Sequence, residues 1–225
     1  GYLALPVIDP EGRLHGVITS DDVADVLEQE VTEDIERLGG SQPLERPYIR
    51  AGVFEVARKR VGWLLLLFVA EAYTGTVLRH FEDELQRVVA LAFFIPLLIG
   101  TGGNVGSQTV TTIIRAMAVG EVTFGDVLNV LAKELRVGAI LATVMEVATY
   151  IRSWTLGVTS EIGFVVALSA VFIVLWAALV GALLPLALRR VGVDPAVVSA
   201  PFITTLVDGT GLFMYFTVAR YLLQL

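Results

Sequence analysis

Asp208 stands inside an apolar run, Pro201–Leu223, whose only other charge is Arg220. An ionised carboxylate in hydrocarbon costs several kcal/mol, so such a group normally faces a bundle interior or water. Thr204, Asp208, Gly211 and Tyr215 recur at spacings of four, three and four, which is one side of a helix. Thr205, Gly209 and Thr210 add small and hydroxylic groups nearby. Gly209 and Gly211 weaken the helix just after the acid, which would let backbone carbonyls turn toward an ion. Oxygen ligands with no soft donor select hard cations such as Mg²⁺ or Ca²⁺. The plain alternative is a protonated Asp208 bonded to a neighbouring helix.

A second feature is Gly100-Thr101-Gly102-Gly103-Asn104-Val105-Gly106-Ser107-Gln108, preceded by Pro96. Glycines this dense disfavour an ordinary helix. They suit either a broken helix whose free carbonyls line a cavity or very close helix packing. Asn104, Ser107 and Gln108 favour the polar cavity, and Asn104 joins the candidate pore residues. A dinucleotide fingerprint is excluded, because the third glycine would have to stand at Val105 and no βαβ unit surrounds it.

Other acids are open to two readings each. Asp194, followed by Pro195, is either a pore-mouth acid that concentrates cations or an ordinary helix-start acid. Glu71 and Glu146 are also intramembrane acids that either line a pathway or bond locally. Asp21, Asp22, Asp25, Glu28, Glu30, Glu33, Asp34 and Glu36 crowd one short stretch. Like charges at i and i+4, such as Asp21–Asp25 and Glu30–Asp34, destabilise a helix, and a divalent cation would relieve them. A solvated helix face is the competing reading.

Composition sets the stage for these residues. The 225-residue chain is 55% hydrophobic and 17% charged, with no cysteine. A soluble domain carries about 25% charge, and a disordered chain needs far lower hydrophobicity. Thiolate metal sites, cysteine nucleophiles and disulfides are excluded. His15 and His80 lie far apart, no basic stripe exists to bind nucleic acid, and no nucleophile–base pair can be assembled, so the chain is not expected to be an enzyme. Charge is uneven: residues 1–36 hold ten acids and one base, the remainder thirteen acids and fifteen bases.

The elements follow from the pattern. Tyr2–Asp9 and Leu14–Thr19 read as strands around a Pro10–Arg13 turn, and Ser20 reads as the cap of an acidic helix ending at Gly39-Gly40. Residues 41–60 read as a linker and an interfacial amphipathic helix. Five spans are expected at about 61–78, 88–114, 132–151, 162–188 and 201–223, the third being short. The fold class is thus an all-α membrane protein with five transmembrane helices per subunit and a small N-terminal strand and helix remnant. Arg58, Lys59, Arg60, Arg115, Lys133, Arg136, Arg189 and Arg190 on one side outnumber Arg79, Arg87, Arg152 and Arg220 on the other. The positive-inside rule then puts the N-terminus in the cytoplasm and the C-terminus outside. Trp63 and Trp154 fall near opposite interfaces.

The run Gly100–Gln108 continuing into Thr111-Thr-Ile-Ile-Arg-Ala-Met-Ala118, together with Asp194-Pro-Ala-Val-Val-Ser-Ala-Pro201 continuing into Thr204-Thr-Leu-Val-Asp208, resembles the MgtE family of magnesium channels over nearly the whole chain. The resemblance implies a homodimer in the cell (inner) membrane, with its pore on the two-fold axis. Asp208 would pair with its mate around a hydrated Mg²⁺, the Thr204 carbonyl would lie one turn earlier, and Asp194 would stand at the cytoplasmic mouth. Asp25, Glu30, Glu33 and Asp34 would form the cytoplasmic cluster where Mg²⁺ holds the channel closed. Residues 1–20 would end a CBS domain, 21–40 form the connecting plug helix and 61–225 the pore domain, in a fragment or truncated relative that lacks the family's upstream domains. The rival reading is an ion-coupled secondary transporter of another divalent cation using Glu71 and Glu146.

Overall fold

A computed structural model describes residues 3–225; Gly1 and Tyr2, where the first expected strand begins, lie outside the described residues. Strands β1 (Ala4–Ile8) and β2 (Leu14–Thr19) pair antiparallel, with Ala4 opposite Thr19. Their turn is closed by the Arg13 N–H donating to Asp9 Oδ1 at 2.7 Å and by Gly12 at φ +80°, a left-handed conformation that glycine adopts without strain. Helix α1 (Ser20–Leu38) follows at once. Its cap is Thr19, one residue earlier than the expected Ser20: the Thr19 N–H and hydroxyl both donate to Asp22 Oδ2, at 2.8 and 2.6 Å. The Thr19 hydroxyl and N–H together hold the Asp22 carboxyl below the usual carboxylate range.

Helix α2 runs unbroken from Val53 to His80. The surface helix expected before residue 61 is therefore its first two turns, because no proline or turn signal separates Arg58-Lys59-Arg60 from the apolar run. A short helix α3 (Glu82–Arg87) and a 3-10 turn (Val89–Phe94) lead into α4 (Ile95–Ala118). Helices α5 (Val127–Thr155), α6 (Ser160–Arg190) and α7 (Ala200–Leu223) complete the chain. Among the described residues, four stretches are long and apolar enough to cross a membrane: α2, Val89–Ala118, α6 and α7. Helix α5, the fifth expected, falls outside that set, since Lys133, Glu134 and Arg136 near its start and Glu146 and Arg152 later leave only a short uncharged stretch. It nevertheless lies along α6 over the most extensive helix pairing in the molecule.

Helix α6 is the hub, packed by α4, α5 and α7, while α2 packs chiefly on α7. Its buried residues Val166, Ala170, Ile173, Val174, Ala177 and Gly181 recur at helical spacing. Helix α4 meets the hub with glycine. A Cβ on Gly102 would stand 2.6 Å from Ile173 Cγ2 and 2.7 Å from Val207 Cγ1, and one on Gly106 2.6 Å from Ile203 Cγ2. The four-residue spacing puts both glycines on one face, the geometry by which membrane helices approach without a hydrophobic driving force. The broken helix expected at Gly100–Gln108 is thus corrected. Helix α4 is continuous, and three of the glycines (Gly102, Gly103 and Gly106) serve close packing, while Gly100 faces open space.

The approach made onto backbone rather than onto a side chain gives a direct test. A Cβ on Gly181 would meet the Gly106 carbonyl oxygen at 2.8 Å, and backbone cannot swing aside as a side chain can. Gly181→Ala is expected to lower stability by about 1–3 kcal/mol, the usual cost of overpacking. Gly100→Ala, whose added Cβ meets nothing within 4 Å, is expected to be neutral or to stabilise by up to about 1 kcal/mol through helix propensity. Thermal unfolding of the detergent-solubilised chain compares the two.

Candidate cation pathway

Helix α7 positions the principal acid. Ser199 caps the helix, its hydroxyl oxygen accepting from the Phe202 N–H at 3.3 Å and from Trp63 Nε1–H of α2 at 3.0 Å. Pro201 sits in the first turn, where a missing N–H costs nothing. Asp208 follows near mid-helix. It is half-buried, and its Oδ1 is shut off from solvent without a hydrogen-bond partner. The neighbouring helix supplies no donor to it, contrary to the plain alternative raised by the sequence.

The stripe expected along α7 divides. Thr204 and Asp208 are partly open, but Tyr215 is fully buried and donates its hydroxyl to the Leu91 carbonyl at 3.0 Å, and Gly211 rests against Ile173. Spacing placed all four on one side, but that side runs from an open surface into the core along the helix. Nor does α7 unwind after the acid. It is regular through Gly209 and Gly211, because both glycines are used for packing. A Cβ on Gly209 would strike the Tyr73 ring and stand 3.0 Å from Thr74 Oγ1.

Helices α4 and α7 share a hydroxyl joint at the Thr204 level. The Ser107 and Thr204 hydroxyls lie 3.2 Å apart, and both donate to the Ala200 carbonyl, at 3.3 and 3.1 Å. One turn away, Asn104 is exposed on the α4 face that also carries Gln108, Thr111 and Arg115. The structure therefore brings Asn104, Ser107 and Thr204 to one open polar face, with Asp208 one turn beyond Thr204.

At the end of the bundle where α1 docks, Arg37 bridges Glu33 and Asp194. Asp194 precedes the 3-10 turn Pro195–Val197 against which α1 packs. Asp34 and Asp194 line one cleft of about 190 Å³ together with Arg189, whose Nη1 donates to the Met117 carbonyl at 3.2 Å. Asp25 and Glu30 lie exposed higher on α1. Among the described residues no three His, Asp or Glu groups converge as a metal site, so the four candidate regulatory acids do not form one cluster in this conformation. Arg37 is the residue that sequence reasoning missed. Its signal was the i, i+4 spacing from Glu33, which marks a helix-face ion pair.

The remaining acids are separated. Glu71 is exposed on α2. Glu146 is half-buried on α5, whose packing partner is α6. Trp176 of α6 donates Nε1–H to Thr210 Oγ1 at 2.8 Å. At the opposite end of the bundle from α1, Glu84 is buried and Arg220 bonds its Oε1 at 2.5 Å while lying 4.7 Å from the Phe81 ring centre.

The sequence pattern of the MgtE family, described as a divalent cation transporter, matches residues 95–218. The chain is 45% identical over 223 residues to the magnesium transporter MgtE of Thermus thermophilus. It is 34% identical over 218 residues to that of Bacillus subtilis and 30% identical over 223 residues to that of Enterococcus faecalis. Each alignment covers 97–99% of this chain and 48–49% of the relative. The chain therefore spans about half the length of the curated relatives it matches.

Proposed function

The chain belongs to the MgtE family of divalent cation transporters, a family of transporters and not of enzymes, and from that premise we propose that it carries Mg²⁺ across the cell membrane through a pore at a homodimer axis. The observation that carries the reading is Asp208, an intramembrane carboxylate with a solvent-shielded, unpartnered oxygen, one turn from an open face of Asn104, Ser107 and Thr204. Two such carboxylates meeting at the axis supply −2 at one narrow level. Mg²⁺ sheds water reluctantly and demands octahedral geometry, so the ion passes as a hydrated species, held through its waters. A dry cage of protein ligands would bind too tightly to release it.

The rest of the pathway is assigned on the same footing. Helix α5 is the fifth crossing, its charged first turns at the cytoplasmic surface and Arg152 at the other. Arg58, Lys59, Arg60, Arg189 and Arg190 place the α1 end in the cytoplasm, leaving the C-terminus outside. Asp194 stands at the cytoplasmic mouth. The hairpin β1–β2 ends a CBS domain, and α1 is the plug. When cytosolic Mg²⁺ is high, the ion bridges Glu33, Asp34 and acids such as Asp25 and Glu30 to neighbouring groups and holds α1 over the mouth; when it falls, like charges part. This is a population shift through differential binding.

Vesicles carrying the chain test this. Mg²⁺ influx is expected to be driven by membrane potential and suppressed by raising Mg²⁺ on the α1 side. Glu33→Ala with Asp34→Ala is expected to relieve that suppression several-fold. Flux driven by a proton gradient alone would favour the secondary-transporter reading, and no flux at all would favour a sensor.

A further inference from the structure

Where α1 docks, the bundle holds a cavity of about 630 Å³ that the cation pathway does not use. Sites that enclose small organic groups run to about 300–1,000 Å³. Three elements wall it: Glu33 and Arg37 of α1, Glu45 of the following linker, and Lys59, Gly62 and Trp63 of α2. The linker is tied at both sides. The Gln42 N–H donates to the Lys59 carbonyl at 3.0 Å, and the Leu44 N–H to Glu36 Oε2 at 2.8 Å. The charges of the lining are unequally engaged. Arg37 is spent on Glu33 and Asp194. Lys59 is drawn inward, its side chain 15% exposed, yet its ion pair is a 3.4 Å contact with Glu45, a carboxylate 82% exposed. An ammonium has three donors, so Lys59 keeps donors for an anionic group in the cavity. Two acids and two bases leave the lining neutral, which suits a zwitterion better than a net anion.

Depth in the membrane narrows the choice. Lys59 stands just before the apolar run that begins at Val61, and Trp63 forms part of the wall, so the cavity lies where headgroups meet hydrocarbon. Gly62 notches it on the flank of α2. A Cβ there would meet nothing within 4 Å, so this glycine serves no helix crossing, unlike Gly102, Gly106, Gly181 and Gly209. Leu66 and Val69 follow at helical spacing, and both are exposed. A neutral polar cavity at headgroup level thus continues into an apolar stripe. We infer that the cavity seats the headgroup of a phospholipid bearing a primary ammonium, with its phosphate on Lys59, its ammonium on Glu45 and its acyl chains along Gly62, Leu66 and Val69. The inference stands apart from the cation pathway and needs only that α2 crosses the membrane. A lipid so placed touches α1, the linker and α2 together, and fastens α1 to the bundle.

The detergent-solubilised full chain, equilibrated with equal amounts of phosphatidylethanolamine, phosphatidylcholine and phosphatidylglycerol and then repurified, tests this by native mass spectrometry. The wild type is expected to retain phosphatidylethanolamine in preference to the other two. Lys59→Gln removes a charge-assisted hydrogen bond and is expected to hold it about tenfold more weakly, while Lys59→Arg keeps most of the binding. Gly62→Leu fills the notch and should weaken retention by a similar factor. That variant adds its side chain to open space, so a wild-type melting midpoint will show an intact fold. Glu45→Gln leaves the lining net positive and should turn the preference toward phosphatidylglycerol. Retention in the proportions supplied, a wild-type preference for either other lipid, or undiminished retention in a folded Lys59→Gln or Gly62→Leu chain would overturn the site. Displacement of the lipid by an equal concentration of soluble glycerophosphoethanolamine would do so too, since the stripe below Gly62 would then play no part.

Discussion

Asp208→Asn is expected to reduce Mg²⁺ influx on the order of a hundredfold while the chain folds and associates as the wild type does. The magnitude follows from charge. A divalent ion held through water about 5 Å from two carboxylates gains about 3 kcal/mol at the dielectric constant of water, and that is a factor of about 100 in occupancy. Folding is spared because Asp208 is half-buried and makes no hydrogen bond through Oδ1, so an isosteric amide removes no partner. Influx of Mg²⁺ into vesicles, with thermal unfolding and sedimentation as controls, decides the matter. Wild-type influx with intact folding would remove the pore carboxylate from the mechanism.

Arg220→Leu is expected to produce the largest loss of stability. It would leave Glu84 buried without its cation. Breaking a fully buried pair costs about 3–5 kcal/mol; Arg220 is 44% exposed, so about 2–3 kcal/mol is the expected loss after screening by solvent. Burial alone would push the Glu84 carboxyl up, but its own backbone N–H, the Arg220 hydrogen bond and charge, and the Arg87 charge together outweigh it, so the carboxyl is held below its ordinary value. A folded-state value below the unfolded one means the pair stabilises fully above the ordinary carboxylate range. That stabilisation is lost as pH falls through the folded value. In Arg220→Leu the sign reverses, because an unpaired buried carboxyl takes up its proton at higher pH, and acidification then narrows the deficit. Melting midpoints of the wild type and the variant between about pH 7 and about pH 3 read both effects.

What could be read from the residues, and what could not, divides along physical lines. Charge-free runs such as 162–188 made α6 legible, since a run of that length has one stable environment. Asp208 was legible for the same reason, as an exception to it. The glycines at 100–106 were ambiguous, because a broken helix and a tight crossing want the same residues, and only the facing side chains of Ile173, Val207 and Ile203 decide. Periodicity also gives a side without saying what covers it: Tyr215 shares a stripe with Thr204 yet reaches Leu91 in the core. The joint of Ser107 with Thr204 and the cap shared by Trp63 and Ser199 link residues 97 and 136 positions apart, and no local pattern announces such pairs. Helix α5 read as short because Lys133, Glu134 and Arg136 interrupt its start and Glu146 and Arg152 its later half.

Helix α2 has one substantial neighbour. It is fastened to α7 at three heights: by Trp63 on Ser199 near its start, by Tyr73 and Thr74 on Gly209 in the middle, and by Phe81 stacked 5.2 Å from Phe216 just past its end. The glycine-sealed block of α4 and α6 touches α2 little. Helix α7 is itself seated in that block, with Ile203 and Val207 against the α4 glycines and Gly211 against Ile173. Tilting α2, whether by a thinner bilayer or by a second subunit leaning on its open flank, must therefore tear one of those three rivets before the carboxylate-bearing helix is dragged from its seat.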